Sequence, residues 1–124
     1  MSSMQTLKFH HVGIPTDRKL PDEDHSPALK IHGSGYFDTP YGVEWHNFDP
    51  DNTLPDIIKS MPHVAFEVED VHEAVDGKEV VFGPTSLVEH VTVAFIMDGG
   101  ALIELLQFDR PEQDIWPHPT KFQI

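Results

Sequence analysis

The feature that most constrains this chain is that it says the same thing twice. Pro62-His-Val-Ala-Phe-Glu-Val-Glu-Asp70 alternates strictly, with Val64, Phe66 and Val68 on one side and His63, Ala65, Glu67 and Glu69 on the other. Period two with β-branched and aromatic residues marks a half-buried strand. Earlier in the chain stands Phe9-His-His-Val-Gly-Ile-Pro15, and setting His11 on His63 places Val12 on Val64, Gly13 on Ala65 and Ile14 on Phe66. A second pair of stretches also repeats. Asp38-Thr-Pro-Tyr-Gly-Val-Glu-Trp-His-Asn-Phe-Asp49 matches Asp98-Gly-Gly-Ala-Leu-Ile-Glu-Leu-Leu-Gln-Phe-Asp109, with the glutamate six residues after the first aspartate and Phe-Asp four residues later. The order His11…Glu44, His63…Glu104 is an internal duplication in which each copy carries one histidine and one glutamate on strand-like segments.

The repeat sets the organisation. At 124 residues the chain is long enough for one compact domain built of two half-size modules. The boundaries are module 1 at about 5–50, a connector at 51–60, module 2 at about 61–109 and a tail at 110–124. In module 2, Asp70-Val-His-Glu73 has the form of a helix capping box, and Gly77 limits that helix to a few residues. Strands follow at Glu79–Phe82, Leu87–Met97 and Ala101–Phe108, the last two joined through Asp98-Gly99-Gly100, which supplies the positive-φ residues of a tight hairpin. Module 2 therefore reads as strand, helix, strand, strand, strand.

Module 1 begins with a strand at Leu7–Pro15. From Thr16 to His32 the text is irregular and polar, broken by Pro21 and Pro27, and reads as a mobile loop ending near Ala28, with a short strand at Leu29–His32. A hairpin over Tyr36-Phe37, a turn at Asp38–Gly42 and Val43–Phe48 completes the copy, its helix eroded to a loop. The connector carries one helical turn at Asp56–Lys59. The tail, with three prolines among Arg110–Pro119, reads as irregular, with Trp116 and Phe122 packed onto the body. Phe37, Trp45, Phe48, Phe66 and Phe108 read as core.

Two histidines and two carboxylates suit a divalent first-row metal (Zn, Ni, Co, Mn or Fe) better than Ca or Mg, and the chain has no cysteine to favour copper(I) or iron–sulfur chemistry. A single strand histidine is most often a hydrogen-bonded core or surface residue. Two at equivalent places, each with an equivalent glutamate, point to a shared ion. Four protein ligands on an octahedral ion leave two positions for substrate oxygens, as Lewis-acid catalysis needs. His10 and His11 alternate onto opposite faces, and the motif favours His11. His46, two residues beyond Glu44, reads as a residue behind the ligands, a proton carrier or a rim histidine. Glu67 reads as a base or as a solvent-facing residue.

Composition excludes several classes. A net charge of −13 argues against nucleic acid, whose affinity comes from lysine and arginine neutralising phosphates. No apolar run approaches the roughly 18 residues of a membrane span. The start, Met-Ser-Ser-Met-Gln-Thr, lacks the basic and apolar regions of a signal peptide, so the expected location is cytoplasmic.

Phe9-His-His-Val-Gly-Ile14, Val43-Glu-Trp45, Pro62-His-Val-Ala-Phe-Glu-Val-Glu-Asp70 and Asp98-Gly-Gly-Ala-Leu-Ile-Glu-Leu-Leu106 together resemble the vicinal oxygen chelate superfamily, which includes glyoxalase I, methylmalonyl-CoA epimerase, fosfomycin and bleomycin resistance proteins and extradiol dioxygenases. The resemblance covers residues 7–15 and 36–108. It implies an α+β fold of paired βαβββ modules forming an open, curved, glyoxalase-like sheet, the first module shortened. It implies metal ligands His11, Glu44, His63 and Glu104, with Glu44 or Glu104 as the catalytic carboxylate. It also implies a metal-dependent isomerase, epimerase or lyase working by enediolate-type proton transfer on a small oxygenated substrate. Two alternatives stay open: an Fe(II) ring-cleaving or 2-oxo-acid dioxygenase-like oxygenase using His11, His63 and Glu104, and a non-catalytic small-molecule-binding protein of the resistance type. Glu44 follows His11 by 33 residues, whereas Glu104 follows His63 by 41, so the first module departs from the pattern. Eight lysines and arginines, none beside an expected ligand, disfavour glutathione and coenzyme A substrates. The exposed edges of an open sheet invite pairing into a homodimer.

Overall fold

The structure is a computed structural model that describes residues 6–18, 24–27, 29–35 and 40–115. Among the described residues, eight strands form one curled sheet: β1 (Lys8–Pro15), β2 (Asp24–Ser26), β3 (Ile31–Gly35), β4 (Val43–Phe48), β5 (His63–Glu67), β6 (Glu79–Val88), β7 (Val91–Asp98) and β8 (Ala101–Phe108). Three short helices accompany them among the described residues: α1 (Asp56–Ser60), α2 (Val71–Ala74) and α3 (Glu112–Ile115). The strand order β2-β3-β4-β1-β5-β8-β7-β6 reads alike from either end once β1–β4 are set on β5–β8. In each half the first strand runs parallel to the last, and β1 meets β5 antiparallel in the middle.

The register repeats along with the order. Gly13 lies opposite Glu44 just as Ala65 lies opposite Glu104. Across the central seam His11 faces Ala65, Val12 faces Val64 and Gly13 faces His63, a pairing that maps onto itself about the Val12–Val64 pair. The two hairpin turns match as well. Lys30 and His90 hold φ of 59° and 75°, and each accepts, through its carbonyl, the backbone N–H of Asp49 or Asp109 at 2.9 and 3.1 Å. The repeated Phe-Asp pairs therefore close the β4 and β8 ends onto the turn that precedes β3 or β7.

Side-chain alternation divides the sheet into two faces. On the concave face Ala65, Val91, Val93, Phe95, Leu102 and Leu106 pack with Ile58 of α1. On the convex face of the second half, Val71 of α2 packs with Val68, Ala94, Ile96 and Leu105. Helix α2 starts where the capping box places it, with the Asp70 carboxylate accepting the Glu73 N–H at 3.2 Å and Gly77 at φ 76° beyond its end. Gly99 and Gly100 adopt φ of 59° and 84° in the β7–β8 turn, as Asp-Gly-Gly requires.

Five sequence expectations need correction. Part of the supposed loop, Asp24–Ser26, is an edge strand paired with β3, and the strand expected at Leu29–His32 lies at Ile31–Gly35. Pro27 ends β2 instead of interrupting it, and Lys30 N–H closes the turn on the Ser26 carbonyl at 2.8 Å. In the second half, β6 continues through Pro84 to Val88, and Glu89–His90 form the turn before β7. Proline is tolerated there because β6 is a sheet edge with an irregular register. The tail is not wholly irregular, since Glu112–Ile115 form α3. Finally, a bulge between Phe9 and His11 turns both His10 and His11 inward, where they are 9% and 1% exposed, instead of onto opposite faces. Phe37, Trp116 and Phe122, and the stretch 19–23 of the eroded helix, lie outside the described residues.

Candidate metal centre

Strand pairing, and not sequence proximity, assembles this site. β1 and β5 are neighbours at the seam, β4 flanks β1 and β8 flanks β5, so one ligand-type residue from each of four adjacent strands reaches the concave face. His11, Glu44, His63 and Glu104 are all buried there, Glu44 with no exposure at all. His63 Nε2 lies 3.1 Å from Glu104 Oε1, and His11 Nε2 lies 3.3 Å from the same atom and 3.5 Å from Glu44 Oε1. The donor atoms of His11, His63 and Glu104 all fall within 4.8 Å of one another, and Glu44 joins them through His11.

The surroundings hold these side chains in place. Gly13 leaves the room that the His63 ring fills, because a Cβ there would overlap that ring. On its other side His63 meets Phe95 edge-on at 5.2 Å, and His46 lies 5.9 Å from it in a stacked arrangement. His46 Nε2 contacts Glu44 Oε1, the oxygen that also faces His11, so it lies beside the cluster on the same face. His10 bridges outward: its Nδ1 is 2.7 Å from His11 Nδ1, and its Nε2 is 2.9 Å from Glu112 Oε2 of α3. Nothing in the alternation of β1 signals this chain from α3 to His11, because it depends on the bulge. Phe95 likewise gave no sign in the sequence, being one apolar residue among several on β7. Glu67 takes no part; it meets Lys8 Nζ at 3.9 Å and lines an open cleft with Thr6, Lys8, Glu69 and Phe108.

Burial pushes both carboxyls upward, and their neighbours then split them. At Glu44 burial prevails over the opposing charge of His11, the charge of Glu104 adds to it, and the carboxyl is held well above the ordinary range. At Glu104 burial is overcome by the His11 and His63 rings against its oxygens, and the group is held far below that range.

This environment fits a divalent metal. Glu44 Oε2 and both ring nitrogens of His63 are buried without a hydrogen bond of proper geometry, although buried polar atoms are nearly always satisfied. Nitrogen and oxygen donors converging from four strands would let one ion satisfy Glu44 Oε2 and one of the two His63 ring nitrogens.

No protein-family model matches the chain, and no curated protein matches it. Solved structures do. Methylmalonyl-CoA epimerase from Mycobacterium tuberculosis aligns with a TM-score of 0.57 at 17% identity, over 92% of this chain and 96% of that one. A hypothetical protein from Bacillus halodurans aligns with a TM-score of 0.53 at 15% identity, over 88% and 98% of the two chains. The chain thus has the glyoxalase-like fold, a curled, strand-rich half-barrel with few helices.

Proposed function

We propose that the protein is a metal-dependent isomerase, epimerase or lyase of the vicinal oxygen chelate superfamily, acting by enediolate-type proton transfer on a small oxygenated substrate. The observation that carries this reading is the buried, pseudo-symmetric set His11, Glu44, His63 and Glu104 at the seam of the sheet. These four would hold the ion, and a bound divalent metal supplies Lewis acidity toward vicinal substrate oxygens. The two carboxylates are unequal. Glu104, pressed by both histidines, stays ionised and serves as a fixed anchor. Glu44 has the higher proton affinity, which suits a group that accepts a proton from carbon and returns it. His46, against Glu44 Oε1, orients that carboxylate and provides a route for the proton.

The neighbour's coenzyme A substrate is not carried over. Among the described cations, Lys8, Lys30, Lys59 and Arg110 lie close to carboxylates of this chain, and none of the four residues of the proposed centre is paired with a lysine or arginine in the ion pairs seen. A second reading is an Fe(II) oxygenase, favoured by the tighter grouping of His11, His63 and Glu104 without Glu44.

The test is Glu44→Ala, assayed in deuterated water by NMR with hydroxyketones and 2-oxo acids. The wild-type protein loaded with Zn, Ni, Co or Mn should exchange the substrate's C–H proton. The variant should lose that exchange and bind metal at least about tenfold more weakly. Unchanged metal content, together with oxygen uptake by the Fe(II)-loaded variant, would replace this reading with the oxygenase one.

A further inference from the structure

A second group of metal-ligand side chains lies on the first half of the sheet. His25 of β2 and His32 of β3 are directly opposite in the antiparallel register, and Asp49 follows the end of β4. The two rings stack at 3.9 Å with planes 13° apart. His25 Nε2 lies 2.9 Å from Asp49 Oδ2, and His32 Nε2 lies 3.1 Å from Oδ1. One donor atom from each of the three residues falls within 4.8 Å of the others.

This group is separate from the centre at the seam. His32 faces Asn47, while its neighbour Gly33 faces His46. Opposite residues of an antiparallel pair share a face, so His25 and His32 lie on the other side of the sheet from Glu44 and His46. In the second half of the molecule this convex face is covered by α2. The repeat also isolates what is particular to the first half. Asp109, the equivalent of Asp49, contacts the turn residue His90 through its Oδ1 at 2.9 Å, whereas Asp49 is shared by two histidines.

We propose that His25, His32 and Asp49 form a second binding site for a divalent transition metal of the Zn, Co or Ni class, whose role is to clip the three-residue edge strand β2 to β3 and to the end of β4. Two imidazoles and one carboxylate suit these borderline ions rather than Ca or Mg. The three donor atoms lie within 4.8 Å of one another, close enough for small side-chain rotations to bring them onto one such ion. His25 and His32 side chains are 41% and 29% exposed, so water completes the coordination and the site loads and empties readily. β2 has only three residues paired at the sheet edge, and a cross-strand clip adds to that short backbone pairing.

The experiment strips the intact protein with chelator and titrates it with Zn²⁺, comparing wild type with His25→Gln, Asp49→Asn and His63→Ala. Bound metal and amide hydrogen exchange over residues 24–35 are followed together. Wild type should take up about two equivalents, the weaker one accompanied by slowed exchange in 24–35. His25→Gln and Asp49→Asn should each weaken that second equivalent at least about tenfold, abolish the slowing and keep the first equivalent. His63→Ala should do the reverse. Asp49→Asn keeps the backbone N–H that closes the turn, so it guards against a misfolded variant. A second equivalent that survives both His25→Gln and Asp49→Asn overturns the proposal. So does a wild type that binds one equivalent only, lost in His63→Ala, an outcome that leaves the proposed function standing. If His63→Ala matches wild type while His25→Gln loses metal, the clip is supported and the reading of the central site fails.

Discussion

A methyl group on Gly13 would occupy the space of the His63 ring. Gly13→Ala should therefore lower stability by about 1–3 kcal/mol by overpacking. It should also weaken metal binding at the seam at least about tenfold, and thermal melts with and without Zn²⁺ would show both effects. The equivalent residue is Ala65, which is fully buried opposite His11, so the site tolerates a Cβ on one side of the seam only. The unequal carboxylates predict opposite pH behaviour in the metal-free protein. Glu44 is raised in the folded state, so its contribution is full below the ordinary carboxyl value of 4.5 and is lost as pH rises through its higher folded value. Glu44→Gln should thus leave the metal-free protein unchanged at about pH 4 and stabilise it at neutral pH, with the order reversed once metal is added. Glu104 is lowered, so its contribution is present above 4.5 and is lost as pH falls below that value. Glu104→Gln should destabilise at neutral pH by about 2 kcal/mol and converge with wild type on acidification. Chemical denaturation of chelated samples across pH measures both, and a Glu44→Gln variant less stable than wild type at neutral pH would contradict the reading.

Among the elements, α2 was legible because a capping aspartate acts locally: Asp70 and Glu73 meet within one turn. Asp70→Ala should cost about 1 kcal/mol without altering metal content, since α2 packs on the convex face. The strand pairs were legible through the repeat, which set His11 on His63 and Glu44 on Glu104 as the register later does. β2 was not legible. Three polar residues ending at a proline carry no period, and only their position beside β3 makes them a strand. The turn at Glu89–His90 was missed for a similar reason: it lacks glycine, asparagine or proline, and His90 takes a positive φ instead. His10 was misplaced because alternation assumes an unbroken pleat, and the bulge inserts a residue at that point. That His11, Glu44, His63 and Glu104 come together was readable from the repeat, but the link from Glu112 to His10 spans 102 positions in sequence and leaves no periodic trace.

For the molecule as a whole, the open sheet exposes β2 at one end and β6 at the other. Leu7, Phe9 and Tyr41 also remain 58%, 49% and 76% exposed. We propose that two copies pair, and light scattering on the eluting protein should give twice the 14.0 kDa of one chain. A single-chain mass at working concentration would remove dimerisation from the reading. Among the described residues no helix is long and apolar enough to cross a membrane.

The central pairing of β1 with β5 is symmetric about Val12 and Val64, so in the proposed four-residue site each half would contribute two of the ion's donors and neither half would enclose it. Metal occupancy is then a report on whether the halves have met. Connectivity through Asp49–Ser60 is a tether that raises the local concentration of one half around the other, and not a part of the cage. A chain severed after Leu54 should therefore regain the central metal by complementation when its two fragments are mixed, while each fragment alone stays metal-poor. In such a protein the ion acts as the fastener of two partners that happen to share one backbone.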